Sequence, residues 1–204
     1  MSRLFLDNDA IHKLSIVYLL DEAIETLAGN EAETFVLSTF KFRWKKKSKA
    51  LPADVLVLVT ALLSRSKELT ATPKPELLEQ MANVDGIDEG EAILFALAAD
   101  DDLALVTTGD KRSIRALAQT AECAGLVAAL AGRVVILEQV LLRLIEAKGF
   151  PFVHDRVLRC QDLSDTALRS AFGSREQATE QGVVDALNYY IEDLRKVAGS
   201  LLAP

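Results

Sequence analysis

The chain has 204 residues, of which 50 % are hydrophobic and 26 % are charged, and its formal net charge is −7. This composition excludes a disordered chain and allows a full buried core, either in one generous domain or in one domain with an appendage. The acidic balance argues against nonspecific wrapping of nucleic acid by the whole surface, although it leaves room for a local basic patch.

Strand and helix patterns alternate through the first 149 residues. Short apolar or β-branched runs predict strands, and apolar residues at helical spacing predict helices. The alternation predicts an α/β fold, a three-layer sandwich with a central, mostly parallel sheet. In chain order, the predicted elements are a strand at 3–7, a helix at 10–27, a strand at 34–38, helices at 53–64, 76–82 and 89–99, a strand at 103–107, helices at 110–118 and 125–132, a strand at 133–137 and a helix at 138–148.

The pattern changes after Pro151, where no strand is predicted. Helices are expected at 153–160, 164–171 and 174–198, and Ser174 with Gln177 has the pattern of a capping box. We therefore predict an α/β domain over residues 1–149 and a helical C-terminal extension over residues 150–204.

Neither a membrane segment nor a signal peptide is expected. No apolar run reaches the ~18–20 residues of a membrane span, and residues 1–3 lead directly into the first predicted strand. Cys123 and Cys160 lie far apart and near no His-rich or Cys-rich cluster. This is typical of buried free thiols in a reducing compartment, so we expect a cytoplasmic protein.

Acidic residues follow two predicted strands and begin one predicted helix. Asp7 and Asp9 end the first strand, Asp110 follows the strand at 103–107, and Glu91 lies in the first turn of the helix at 89–99. Ligands of open α/β sheets bind beyond the carboxyl ends of the strands, so these side chains are expected at one edge. Two unit charges ~4 Å apart repel by about 4 kcal/mol at an effective dielectric near ~20. A hard divalent cation that prefers oxygen ligands, Mg²⁺ or Mn²⁺, would remove this repulsion.

Each of these acids also has a purely structural interpretation. Asp88, with Glu91 three residues later, has the pattern of a capping box. Asp9 and Asp110 can each cap the helix that follows them. The residues alone therefore leave both a metal site and a set of helix caps open.

Three motifs resemble those of PIN domains, a family of metal-dependent ribonucleases. Leu4-Phe5-Leu6-Asp7, followed by a helix, resembles the opening strand of that family. Gly90-Glu91-Ala92, at the head of an Ala-rich and Leu-rich helix, resembles its central Gly-Glu-Ala segment. Val106-Thr107-Thr108-Gly109-Asp110 resembles its Thr-x-Asp strand end. The resemblance extends from residue 1 to about residue 140 and does not cover the extension.

The resemblance implies a role for each acid. Asp7, Glu91 and Asp110 would be the catalytic metal ligands, with Asp9 or Asp88 assisting, and the cofactor would be Mg²⁺ or Mn²⁺. The implied reaction is endonucleolytic hydrolysis of RNA by a metal-activated water, which leaves a 5′-phosphate. Many small bacterial members are toxins paired with an antitoxin, and many form homodimers. An antitoxin and a second copy of the chain are thus the implied protein partners.

Two acids that are frequent in toxin-like members have no counterpart in the chain. The helix after the second strand often carries a Glu, where this sequence has Arg43 and Trp44. Another acid often follows the third motif, where this sequence has Ser113 and Ile114. These departures motivate an alternative, a catalytically degenerate PIN-like module that binds RNA or a protein.

A further alternative belongs to another enzyme class. Asp7-Asn8-Asp9 resembles the Asp-x-Asp motif of haloacid-dehalogenase-like phosphatases. Asp7 would then be the nucleophile and Asp9 the general acid. Such enzymes usually also need a Lys and later paired acids.

One dense basic segment, Lys41 to Lys49, contains the only Trp of the chain. Its cations could hold RNA phosphates, while Trp44 or Phe42 stacks on an unpaired base. The alternatives are a solvated loop, or a Trp44 that covers the core while the lysines favour solubility. The predicted RNA-binding residues are Arg43, Trp44, Lys45, Lys46 and Lys47.

Overall fold

The structure of the chain is a computed structural model that describes residues 2–29, 31–47, 51–160, 163 and 165–204. In these residues a parallel sheet has the strand order β3-β2-β1-β4-β5. This confirms the predicted α/β fold. The strands are β1 (Arg3–Leu6), β2 (Glu33–Leu37), β3 (Lys67–Leu69), β4 (Ala104–Thr108) and β5 (Val134–Ile136).

Helices cover both faces of the sheet. Successive side chains of a strand point to opposite faces. Leu4 and Leu6 of β1 enter one hydrophobic cluster, and Phe5 between them enters another, so the two clusters lie on opposite sides of a three-layer sandwich. The helices of the described residues are α1 (Asn8–Ile16), α2 (Leu20–Ala28), α3 (Phe40–Lys47), α4 (Ala53–Arg65), α5 (Pro75–Met81), α6 (Glu89–Ala99), α7 (Lys111–Gln119), α8 (Ala124–Ala129), α9 (Leu137–Lys148), α10 (Phe150–Arg159), α11 (Thr166–Phe172) and α12 (Glu180–Ala198).

The C-terminal extension packs onto the α/β part. Helix α12 contacts α7, α9 and α11. Beyond it, the Val134 amide of β5 donates to the Leu201 carbonyl at 3.0 Å, and the Ala203 amide donates to the Val134 carbonyl at 2.8 Å. The last residues therefore satisfy backbone groups that the edge of β5 would otherwise leave unpaired.

The predicted helix at 10–27 is two helices. Tyr18 has φ 56°, in the left-handed region, and a right-handed helix cannot continue through such a residue. Helix α1 therefore ends at Ile16, and α2 begins at Leu20.

Three other elements differ from the prediction: α3, which was not predicted as a helix, β3 and the start of α12. Strand β3 was not predicted, because Lys67-Glu68-Leu69 is short, partly charged and mostly exposed at the edge of the sheet. The predicted capping box at Ser174 is wrong, since the Ser174 side chain makes no capping hydrogen bond within the described residues and residues 175–177 form a 3₁₀ turn. Helix α12 begins later, where the Thr179 hydroxyl accepts from the Gly182 amide at 3.2 Å.

Two expectations about the environment of the chain can be compared with the structure. Cys123 and Cys160 are both buried, and neither is part of a disulfide among the described residues, as predicted. Among the described residues, no helix combines the length and apolar character that crossing a membrane requires.

Candidate functional site

The strand order creates a crevice between β1 and β4. Strand β1 pairs with β2 on one side and with β4 on the other, so the connections that leave these two strands run to opposite sides. Ligands of open α/β sheets bind at such a switch point, beyond the carboxyl ends of the strands. Asp7 follows β1 directly, and its amide donates to the Thr107 carbonyl of β4 at 3.0 Å. Gly109 and Asp110 follow β4, so the topology places Asp7 and Asp110 on opposite sides of the crevice.

Asp7 is a buried carboxylate, only 6 % exposed. It caps α1, and its Oδ2 accepts from the Asp9 amide at 3.2 Å and from the Thr108 hydroxyl at 3.4 Å. Burial raises the pKa of Asp7 to about 6, against the opposing effect of the backbone amides, and the charges of Asp9 and Asp88 raise it further. The crevice therefore holds an acid whose ionised form is costly.

Glu91 is the second buried acid, in the first turn of α6. It forms the predicted capping box with Asp88: the Asp88 amide donates to Glu91 Oε2, and the Glu91 amide donates to Asp88 Oδ1, each at 2.9 Å. Burial raises the pKa of Glu91 to about 7, with further contributions from the charges of Asp110 and Asp88. Asp88 therefore serves as a helix cap, and its charge acts on both Asp7 and Glu91.

Asp110 is in a different electrostatic state. Its side chain caps α7. It also accepts two hydrogen bonds from the Arg112 guanidinium, from Nε to Oδ1 at 3.2 Å and from Nη2 to Oδ2 at 2.7 Å. Burial alone would raise the pKa of Asp110, but the hydrogen bonds and charge of Arg112 outweigh it and hold the pKa below its ordinary value. Asp110 is therefore an ionised carboxylate that is already paired with the Arg112 guanidinium.

Lys13 occupies the crevice beside Asp9. Its Nζ lies 2.7 Å from Asp9 Oδ2 and 2.7 Å from Oδ2 of Asp165, which belongs to the extension. It also donates to the Gly109 carbonyl at 3.1 Å. Lys13 was not predicted as a site residue, although its spacing of four residues from Asp9 on a helix was a usable signal. No local signal pointed to Asp165.

A second pair of missed residues lies at the end of β5. Glu138, in the first turn of α9, is 1 % exposed and forms an ion pair with Lys111. The Lys111 ammonium also lies 4.7 Å from the centre of the Tyr190 ring, which belongs to α12. Glu138 directly follows the strand predicted at 133–137, so the strand-end reasoning applied to Asp7 and Asp110 would also have found it.

The donor set suits a hard cation, although the described conformation does not form a complete coordination group. Among the described residues, no three His, Cys, Asp or Glu side chains are grouped so that they could hold a metal ion. Asp7 and Glu91 offer buried carboxylate oxygens, the ligand type that Mg²⁺ and Mn²⁺ prefer. Neither forms an ion pair within the described residues, whereas Asp9 and Asp110 are paired with Lys13 and Arg112. A cation bound by Asp110 would therefore have to compete with Arg112.

A side chain at Gly109 would contact the ends of the Asp9 and Lys13 side chains. A Cβ at this position would lie 2.5 Å from Asp9 Oδ2 and 3.1 Å from Cδ of Lys13. We expect Gly109→Ala to lower the free energy of unfolding by at most about 1 kcal/mol, because the ends of the Asp9 and Lys13 side chains must shift and their partly exposed ion pair is weakened. Denaturant unfolding measures this loss.

The matched control is Gly125→Ala in α8. A Cβ at Gly125 would have no neighbouring atom within 4 Å in the described part of the chain. Because alanine favours a helix over glycine by roughly 1 kcal/mol, this variant should be as stable as the parent or more stable. Equal losses in the two variants would contradict the close packing at Gly109.

The basic segment forms helix α3, which follows β2 at the same edge of the sheet. Trp44 is buried and stacks on Phe40 at 5.8 Å between ring centres. This favours the core-covering interpretation of Trp44 over base stacking. Phe42 is 67 % exposed and is the aromatic ring available to a base. Lys45 is exposed, whereas the predicted contacts of the Arg43, Lys46 and Lys47 side chains and of residues 48–49 lie outside the described part of the structure.

Comparison with known proteins adds no assignment. A scan against protein-family models, a search of curated proteins and a search of solved structures each found no match for this chain. The resemblance to PIN domains therefore rests on the three sequence motifs alone.

Proposed function

We propose that the chain is a divalent-metal-dependent endoribonuclease whose ion is held at the switch point between β1 and β4. The supporting observation is the pair of buried acids, Asp7 and Glu91, whose pKa values are raised to about 6 and about 7. Burying two carboxylates without a cation is unfavourable, and a bound divalent ion would remove this cost. Asp110 would complete the ligand set from the opposite side of the crevice, with Asp9 or Asp88 assisting.

The ion would lower the pKa of a bound water and stabilise charge on the transferring phosphoryl group. The other tasks belong to the chain. Asp7 and Glu91 present their carboxylates from the end of a strand and from the first turn of a helix. Arg112 is positioned to exchange Asp110 for an RNA phosphate, because its side chain is 84 % exposed. Phe42 and the cations of α3 would hold the single strand beside the crevice.

A second candidate is an RNA-binding module without catalysis. The pairing of Asp110 with Arg112 favours it, since this ligand position is already neutralised. The two acids that are missing at Arg43-Trp44 and at Ser113-Ile114 also favour a binding module without catalysis.

One assay separates the two candidates. The purified chain is incubated with a mixed single-stranded RNA in Mn²⁺, and a parallel sample contains excess EDTA. The nuclease proposal expects cleavage in Mn²⁺ that EDTA abolishes. RNA binding without cleavage in Mn²⁺ would reject the nuclease and support the binding module.

A further inference from the structure

The crevice contains an anion that the chain itself supplies. The Asp165 carboxylate comes from the extension, is nearly buried, and lies 2.7 Å from the Lys13 ammonium. Lys13 in turn contacts the Gly109 carbonyl at the end of β4 and Asp9 in the first turn of α1. The Asp165 carboxylate thus occupies the crevice in which open α/β sheets bind their ligands.

Three cations near this edge of the sheet, Lys13, Lys111 and Arg112, have anionic partners from different parts of the chain. Lys111 is paired with Glu138 and Arg112 with Asp110, and both of these acids belong to the α/β part. Lys13 alone among these three cations is paired with an acid of the extension. Lys111 also acts on Asp165, because its charge, together with that of Lys13, helps to hold the pKa of Asp165 below its ordinary value despite burial.

An RNA backbone needs cations at this edge. A phosphodiester that approaches Asp7, Asp9, Glu91 and Asp110 meets like charges, and the metal ion alone cannot hold the neighbouring phosphates. A lysine ammonium is a point charge that binds a phosphate oxygen as readily as a carboxylate oxygen. The position of Asp165 is therefore one that a phosphate could take.

We propose that Lys13 forms a phosphate subsite for single-stranded RNA, to which Lys111 adds positive charge, and that the Asp165 carboxylate fills this subsite until RNA displaces it. This subsite rests on the proposed nuclease function, because it gives that function its substrate contact. It also assigns residues 150–204 a role at the crevice.

The geometry of Asp165 allows a specific variant. Its Oδ1 caps α11 by accepting from the amides of Ala167 and Leu168, at 2.9 and 3.0 Å, while Oδ2 faces Lys13. Asparagine is as good a helix cap as aspartate. Asp165→Asn should therefore keep the cap and remove the charge that competes with phosphate.

The test measures binding of a fluorescent single-stranded RNA by anisotropy in EDTA, where metal-dependent cleavage cannot occur. Asp165→Asn should bind RNA about five-fold more tightly than the parent chain, because only one carboxylate, that of Asp9, then competes with a phosphate for Lys13. Lys13→Met should bind more weakly, and the slope of log affinity against log salt should fall by about 0.7 for the one lost phosphate contact. In Lys13→Met/Asp165→Asn, the gain from Asp165→Asn should disappear.

Asp193→Asn is the matched control. Asp193 is another acid of the extension and pairs with Arg115 of α7, so its removal changes the net charge by the same amount. It should leave RNA affinity close to that of the parent. Equal gains for Asp165→Asn and Asp193→Asn, or a gain from Asp165→Asn that survives in the double variant, would overturn the subsite. Absence of RNA binding by both the parent chain and Asp165→Asn would also overturn it.

Folding and catalysis are separated from this result. Circular dichroism checks that each variant is folded, and Lys13→Gln replaces Lys13→Met if the latter unfolds. If the predicted binding pattern is found but Mn²⁺ supports no cleavage, the nuclease function fails while the phosphate subsite stands. If cleavage occurs but Asp165→Asn does not tighten binding, the subsite fails while the nuclease function stands.

Discussion

Asp7→Asn and Glu91→Gln should each lower the rate of Mn²⁺-dependent RNA cleavage by about 10³-fold. Loss of a ligand removes several kcal/mol of metal-derived stabilisation from the transition state, and each ~1.4 kcal/mol is a factor of ten in rate. Both replacements keep the size of the side chain, and asparagine at position 7 can still cap α1. Initial rates of cleavage of one labelled RNA measure the effect.

The control for this prediction is Asp102→Asn. Asp102 is exposed and lies in the turn before β4, at the opposite edge of the sheet from the crevice. Its replacement should leave the cleavage rate unchanged. Full activity in either Asp7→Asn or Glu91→Gln would show that the buried acids are structural, and it would remove the basis of the nuclease proposal.

Without metal, Asp7→Asn should be more stable than the parent chain at pH 8. Burial raises the pKa of Asp7 from 3.8 to about 6, so the folded chain favours the protonated acid. The contribution of Asp7 to stability is therefore most favourable below pH ~4 and is lost as the pH rises towards 6, because the unfolded chain loses this proton first. A difference of about two in pKa corresponds to about 3 kcal/mol. For a chain of this size, that would raise the melting temperature of the variant by roughly 6–10 °C.

Divalent metal should make the parent chain more stable than Asp7→Asn. Mn²⁺ is expected to stabilise the parent chain, because an ion that binds only the folded state shifts the unfolding equilibrium. Asp7→Asn should gain little from Mn²⁺. Thermal unfolding of both proteins at pH 8, with Mn²⁺ and with EDTA, shows which of the two is the more stable in each condition. A parent chain that is as stable as Asp7→Asn in EDTA, and that Mn²⁺ does not stabilise, would contradict the account of Asp7.

Much of the fold could be predicted, because its strongest signals are local. Four strands are continuous apolar or β-branched runs. The capping box of Asp88 and Glu91 involves two residues that are only three positions apart in the sequence. Strand β3 gave no such signal, since its three residues join the sheet only by pairing with β2. The break at Tyr18 is equally hidden, because a single left-handed residue leaves the apolar periodicity of the helix unchanged.

The site was predictable only in part. Asp7 and Asp110 follow strands, so a parallel sheet was enough to bring them to one edge. The pairing of Lys13 with Asp165 joins residues that are far apart in sequence, and it depends on how the extension docks. Trp44 shows the opposite difficulty: its basic neighbours suggested an exposed ring, while Phe40, one helical turn earlier, holds it in the core.

Anomalous diffraction from crystals grown with Mn²⁺ tests the metal site most directly. We expect one anomalous peak, from a Mn²⁺ ion, in the crevice between β1 and β4. Carboxylate oxygens of Asp7, Glu91 and Asp110 should bind this ion, and Arg112 should be turned away from Asp110. A crevice without a peak at saturating Mn²⁺, with Asp110 still held by Arg112, would contradict this expectation.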